Sequence, residues 1–253
     1  MNRLKDRVGI VTGGGKGLGR ATALMFAEEG AKVVVADIDL EGANETVEAI
    51  RARGGDAIAV ATDVRKAADA ENLARAAVER YGRIDVLVNN AGVRGKGTVL
   101  ELTEEQWDTI IDVNLKGMFL CSKYVLPVMQ RQQAGNIVCV SSMAGVVGHA
   151  GQAAYNASKH GVIGLARCMA MDYAADGIRV NVVCPGIIDT GMLGDETPET
   201  LRYRLSGNLM KRAAQPEEIA RTVLHLASDE SSYSTGAVFN VDAGGTTSSG
   251  RTG

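Results

Sequence analysis

The sequence predicts an α/β chain: a doubly wound, mostly seven-stranded parallel sheet with helices on both faces. Three observations predict it. Short β-branched runs alternate with longer segments of helical period rich in Ala, Glu and Arg. Several of the runs are apolar nearly throughout, as strands buried on both faces of a parallel sheet are. The first run also passes directly into a glycine cluster and then a helical segment. Strand and helix alternating this regularly build right-handed βαβ units.

Taken in order, "RVGIVT" (7–12) is the first strand, and "GLGRATALMFAEEG" carries a helix over 18–29. "KVVVAD" (32–37) and "AIAVATD" (57–63) are the next strands, followed by helices over 41–53 and 67–81. "IDVLVNN" (84–90) leads to one long helix over 104–132, which "TEEQ" starts with Thr103 as N-cap and Gln106 three residues on. "NIVCVS" (136–141), a helix over 153–175 and "IRVNVV" (178–183) follow. The stretch 187–215 has the weakest pattern and reads as a long irregular insertion, which in a compact chain is usually functional. Pro216, Glu217 and Glu218 start a helix over 216–228, "AVFNVD" (237–242) is the last strand, and 246–253 is a flexible tail.

No linker or shift in composition divides the 253 residues, so the expectation is one domain over 1–253. A formal net charge of −3 leaves no basic footprint for nucleic acid. No apolar run approaches 18 residues, so no membrane span is expected. "MNRLKDRVGIVTGGG" lacks the apolar stretch of a secretory signal, which makes a cytoplasmic location the default. Cys121, Cys139, Cys168 and Cys184 have no C-x-x-C spacing and are read as buried free thiols, with no metal site expected.

In "TGGGKGLG", Gly13, Gly17 and Gly19 follow the spacing G-x-x-x-G-x-G. Glycines at a strand-to-helix turn let the backbone approach a pyrophosphate, and the helix start supplies aligned N–H groups. The second strand ends in Asp37, where a carboxylate accepts hydrogen bonds from both ribose hydroxyls and repels a 2′-phosphate. That favours NAD over NADP. Lys16 argues the other way, but one flexible, solvated lysine offsets such repulsion poorly.

"QAAYNASKHG" sets Tyr155 one helical turn before Lys159, so the two project from one helix face. A free phenol is a poor base at neutral pH, and a neighbouring positive charge favours its ionised form. Such a pair suits proton exchange with an alcohol.

With "NNAG" at 89–92, the Asn of "DVNLKG" at 112–117, "SS" at 141–142, "YNASK" at 155–159, "PGIIDT" at 185–190 and "TGAVFNVDAGG" at 235–245, the chain resembles a short-chain dehydrogenase/reductase of the single-domain type of about 250 residues. The resemblance implies a Rossmann-type sheet and a catalytic set of Asn114, Ser142, Tyr155 and Lys159. Ser142 would hold the substrate oxygen, and Tyr155 would be general base in oxidation and acid in reduction. Lys159 would assist Tyr155 and bind the nicotinamide ribose, while Asn114 would hold a water, through backbone or side chain, that links Lys159 to solvent. The implied NAD contacts are Gly13, Gly15, Lys16, Gly17, Leu18, Gly19, Asp37, Ile38, Asp63, Val64, Asn90, Ala91, Gly92, Tyr155, Lys159, Pro185, Gly186, Ile188 and Thr190, with Asp63 and Val64 facing the adenine.

The substrate walls would come from Met143, Ala144, His149 and Gln152, from Arg94 and Lys96, and from Met192 and Leu193, beside Ser142 and Tyr155. Arg94 and His149 would suit an anionic or strongly polar substrate. The expected activity is NAD-linked interconversion of a secondary alcohol and a ketone. The alternatives are an NADPH-dependent 3-oxoacyl carrier-protein reductase, in which a neutral or basic residue would suit position 37 better, and an NAD-sensing protein without turnover. The resemblance also implies a homotetramer, with the apolar helices over 104–132 and 153–175 pairing across one interface.

Overall fold

The computed structural model describes residues 2–189 and 197–247. Seven strands form one sheet: β1 (Val8–Thr12), β2 (Lys32–Asp37), β3 (Asp56–Ala61), β4 (Val86–Asn89), β5 (Gly135–Val140), β6 (Ile178–Pro185) and β7 (Val238–Val241). Their order is β3-β2-β1-β4-β5-β6-β7, and every neighbouring pair is parallel. The strand order reverses between β1 and β4, which opens a crevice at the carboxyl ends of the strands. The register brings Val11 beside Val88, Asn89 beside Cys139 and Pro185 beside Val241, so the residues after these strands share one edge.

Alternation along the strands divides the core. Ile10, Leu87, Ile137 and Val182 face α3 (Ala67–Tyr81), α5 (Gly117–Gln132) and α6 (Ala153–Tyr173). Their neighbours Val11, Val88, Val138 and Val183 face α1 (Gly17–Glu28), α2 (Leu40–Arg51) and α8 (Pro216–Ala227). Burial on both faces explains why these strands read as continuous apolar runs. No helix among the described residues is long and apolar enough to cross a membrane.

Three expectations need correction. The helix expected over 104–132 is two helices, α4 (Glu104–Ile111) and α5, joined by a π-helical turn at Asp112–Lys116. The capping box of Thr103 and Gln106 does start α4. The stretch 187–215 is not wholly irregular, because α7 spans Pro198–Leu205 and Ile188 pairs with Ala214. Cys121, Cys139 and Cys184 are buried, but Cys168 is exposed on α6.

The π turn carries Asn114 into the interior, and the following Gly117 meets Val64 after β3. A Cβ at Gly117 would lie 2.7 Å from Val64 Cγ2 and 2.9 Å from its Cβ. Gly117→Ala would ordinarily gain about 1 kcal/mol of helix propensity. Here a stiff β-branched neighbour has to move, and overpacking costs about 1–3 kcal/mol. The expected outcome is a lower urea midpoint with an unchanged m-value; a higher midpoint would show that the start of α5 has room.

Candidate active site

The glycine loop is built by close approach. Gly13 (φ +64°) and Gly17 (φ +55°) take left-handed backbone angles, and a Cβ on Gly19 would sit 1.9 Å from the carbonyl oxygen of Gly13. Lys16, exposed and extended, stands at the N-cap of α1 without a side-chain cap, and the first turn holds no acidic residue. The start of α1 therefore carries no anion of its own, as a pyrophosphate cradle requires. Leu18 is buried beneath it.

Asp37 ends β2 with its carboxylate already oriented. Oδ2 accepts from the Gly15 amide at 2.9 Å and Oδ1 from the Asp39 amide at 3.0 Å. Ile38 beside it is 66% exposed, an apolar surface at the sheet edge. Asp63 lies two residues beyond the end of β3 rather than ending that strand, and its carboxylate is gripped by the Arg65 guanidinium at 2.9 and 2.8 Å. Those hydrogen bonds hold the carboxyl of Asp63 below the usual carboxylate range. The side chain expected to face the adenine thus has a partner in its own loop, whereas Val64 is packed on Gly117.

The sequence reading missed Thr12. Its hydroxyl donates to Val88 O at 3.2 Å and accepts from the amides of Asn90 (3.0 Å) and Ala91 (3.1 Å). Asn90 returns its side-chain amide to the carbonyls of Thr12 (2.9 Å) and Gly13 (3.1 Å). One threonine and one asparagine therefore tie the glycine loop to "NNAG" across the switch point. The available signal was a hydroxyl residue just before the glycines.

Tyr155 and Lys159 do share a face of α6. Lys159 Nζ lies 5.8 Å from the centre of the Tyr155 ring and donates to Val140 O at 2.9 Å. Lys159 is buried and Tyr155 half-buried. Ser142 begins the short 3₁₀ turn Met143–Gly145, where its Oγ accepts from the Ala144 amide at 3.1 Å. An oxygen used as acceptor there keeps its proton free to donate. That turn is seated on α6, since Ser141 Oγ donates to Lys159 O at 2.8 Å and a Cβ on Gly145 would lie 2.6 Å from the same carbonyl oxygen.

Asn114 is buried in the π turn. Its Oδ1 accepts from the Val93 amide (2.8 Å), and Nδ2 donates to Val93 O (3.0 Å) and Ser158 Oγ (3.0 Å). Ser158 in turn donates to Tyr155 O at 2.8 Å. Both Nδ2 protons and one of the two Oδ1 lone pairs of Asn114 are thus taken by protein partners. Gly92 lies beside this group: a Cβ there would be 3.3 Å from Asn114 Oδ1 and 3.6 Å from Lys159 Nζ.

On the β6 side, the Gly186 amide donates to Val241 O at 3.0 Å, and a Cβ on Gly186 would lie 2.8 Å from Asp242 Cα. Pro185 ends β6, and Ile188 forms its bridge one residue before Asp189 donates to Ala214 O. Thr190, Met192 and Leu193 lie outside the described residues. Arg94 and Lys96 are exposed, whereas His149 and Gln152 are partly buried in the loop before α6. Burial pushes the Cys139 thiol up to about 12 and raises that of Cys184, which disfavours the thiolate form of each.

Among known proteins, the family model described as Enoyl-(Acyl carrier protein) reductase matches residues 13–246. A Thermotoga maritima protein named "Uncharacterized oxidoreductase" is 44% identical over 248 residues, covering 96% of this chain and 98% of its own. The "3-oxoacyl-[acyl-carrier-protein] reductase FabG" of the same organism is 43% identical with the same coverage. The crystal structure of levodione reductase superposes with a TM-score of 0.93 at 37% identity, covering 97% of this chain and all of that one.

Thr12→Val keeps the volume but leaves two backbone amides without an acceptor, a loss of about 1–3 kcal/mol each where they are buried. Chemical denaturation should show the chain destabilised, and a fluorescence titration should show weakened NADH binding. Unchanged values for both would remove Thr12 from the site.

Proposed function

The chain belongs to the short-chain dehydrogenase/reductase family, and from that premise we propose that it interconverts a secondary alcohol and a ketone with NAD(H), as a single-domain enzyme. The observation that carries this reading is the buried Lys159 ammonium, set 5.8 Å from the Tyr155 ring and fixed on Val140 O.

The residues present fit the cofactor. The uncapped start of α1 suits a pyrophosphate, and Asp37 suits the adenosine ribose. A carboxylate offers about four lone-pair sites. Two are taken by the Gly15 and Asp39 amides, which hold the charge in place for the ribose hydroxyls and against a 2′-phosphate. This supports NAD over NADP. The bound nicotinamide supplies hydride donor and acceptor chemistry.

The protein handles the proton and the substrate oxygen. Ser142 donates its hydroxyl proton to the carbonyl or alcohol oxygen. In oxidation the alcohol proton passes to the Tyr155 oxygen; in reduction Tyr155 returns it to the oxygen of the ketone. The Lys159 ammonium stabilises the negative charge that Tyr155 carries between these events. Asn114 and Ser158 hold the carboxyl side of β4 against α6, keeping Tyr155 and the cofactor cleft in register.

The relatives named 3-oxoacyl-[acyl-carrier-protein] reductase favour a second substrate reading, a 3-oxoacyl thioester at the same site. For assembly we assign the faces of α5 and α6 that carry Phe119, Cys168 and Met171, the last 82% exposed, to subunit pairing in a homotetramer.

Tyr155→Phe should lower kcat by about 10²–10⁴-fold, the range that general acid–base catalysis supplies, while NADH binding stays within a few-fold. Absorbance at the nicotinamide band and a fluorescence titration check the two halves, and retained turnover would overturn the assignment. With the wild-type chain, a panel of secondary alcohols, hydroxy acids and hydroxyacyl thioesters should be oxidised with a higher kcat/KM for NAD than for NADP. The reverse preference would show that Lys16 outweighs Asp37.

A further inference from the structure

Between Tyr155 and Lys159 stands Asn156, which no role in the reaction absorbs. Its side-chain amide is committed to the loop before α6. The His149 amide donates to Oδ1 at 3.2 Å, while Nδ2 donates to His149 O at 2.9 Å and to Gln152 O at 2.8 Å. Both backbone groups of His149 are thus grasped by one side chain on α6.

A second tie continues outward. Gly97, on the loop after β4, pairs with Gln152: its amide donates to Gly151 O at 2.8 Å, and the Ala153 amide donates to Gly97 O at 3.2 Å. Gly97 (φ +146°) and Gly151 (φ +68°) both take backbone angles that side chains disfavour, and a Cβ on Gly97 would lie 2.9 Å from Leu102 Cγ. The loop carrying Arg94 and Lys96 therefore rests on the loop carrying His149 and Gln152, which rests on Asn156. Val146, Gly148 and Ala150 are exposed, whereas Val147, His149, Gly151 and Gln152 are partly buried.

We propose that Asn156 is a positioning residue that fixes both loops flanking the substrate cleft and so determines which alcohols and ketones are accepted. The proposal rests on the oxidoreductase reading of the cleft. Asn156 touches no reacting atom. Its effect is to hold the His149–Gln152 backbone at one distance from the Tyr155 turn, and misplacement of a binding wall by about 1 Å can cost on the order of 100-fold.

The test is Asn156→Ala, a substitution that raises helix propensity and so leaves α6 intact. Hydrogen exchange by mass spectrometry should show faster exchange in peptides covering 93–100 and 146–154, with the rest of α6 unchanged. Steady-state kinetics with NADH and ketones of graded size should show KM for the best substrate raised by about 10- to 100-fold. In the same series kcat should stay within about threefold and the preference among substrates should narrow, which is the signature of lost ground-state binding. Combined with Gln152→Ala, the two losses should be less than additive, because one acts through the other.

Unchanged exchange in both peptides would overturn the clamp whatever the kinetics. Equal losses of kcat on every substrate with KM unchanged would instead make Asn156 part of the chemistry. A wild-type chain without turnover on the panel would overturn the proposal through the reading it rests on, and the exchange data would still report the clamp separately.

Discussion

A buried ammonium is the constraint around which the site is organised. Lys159 is only 5% exposed, and no carboxylate among the described residues forms an ion pair with it. It donates to one carbonyl, Val140 O, and lies over a phenol ring. Burying a charge with such sparse compensation is expensive, so the surroundings have to hold it firmly. They do: Ser141 caps the Lys159 carbonyl, and the absence of a side chain at Gly145 lets the Ser142 turn press against it. In the proposed reaction this buried charge is the preorganised counterpart of the oxyanion that forms on Tyr155.

Two chains of hydrogen bonds brace the site. One runs from Tyr155 O through Ser158 and Asn114 to both backbone groups of Val93, and so to the loop after β4. The other runs along the carboxyl edge, from Asn90 and Ala91 to Thr12 and the glycine loop. In both chains polar side chains answer backbone groups of the loops that follow the strands. The π turn lets the first chain close, because it turns Asn114 inward within an otherwise regular helical pair.

The strands and the loop chemistry were legible in the sequence because their signals are local. Unbroken runs such as "KVVVAD" follow from burial on both faces, Gly13 and Gly17 take left-handed angles that favour glycine, and Gly19 stands where a Cβ would strike the Gly13 carbonyl. The break at Asp112–Lys116 was not legible, since "DVNLK" contains no glycine or proline and keeps the helical apolar period. Thr12 was missed for a different reason: its role depends on Val88, Asn90 and Ala91, some 76 to 79 residues away. Helix α7 had a weak signal in Thr197 before Pro198, and the Thr197 hydroxyl does accept from the Thr200 amide, but an eight-residue helix whose sequence has no apolar stripe does not stand out. Cys168 was misplaced because its apolar neighbours in "GLARCMAMDYA" suggest burial, whereas the face of α6 that carries it points outward.

The arrangement at Asp37 also bears on how such a chain can drift in evolution. On the proposed reading, the carboxylate that selects the ribose is the same group that accepts the Gly15 and Asp39 amides, so nucleotide choice and loop architecture are written on one side chain. A lineage cannot alter the first without disturbing the second unless a new acceptor arrives at the same time. Replacement by a neutral hydroxyl or amide residue keeps an acceptor in place while removing the charge, and replacement by a basic residue does not. A change of cofactor along such a lineage would therefore pass more easily through a neutral ancestor than in one step.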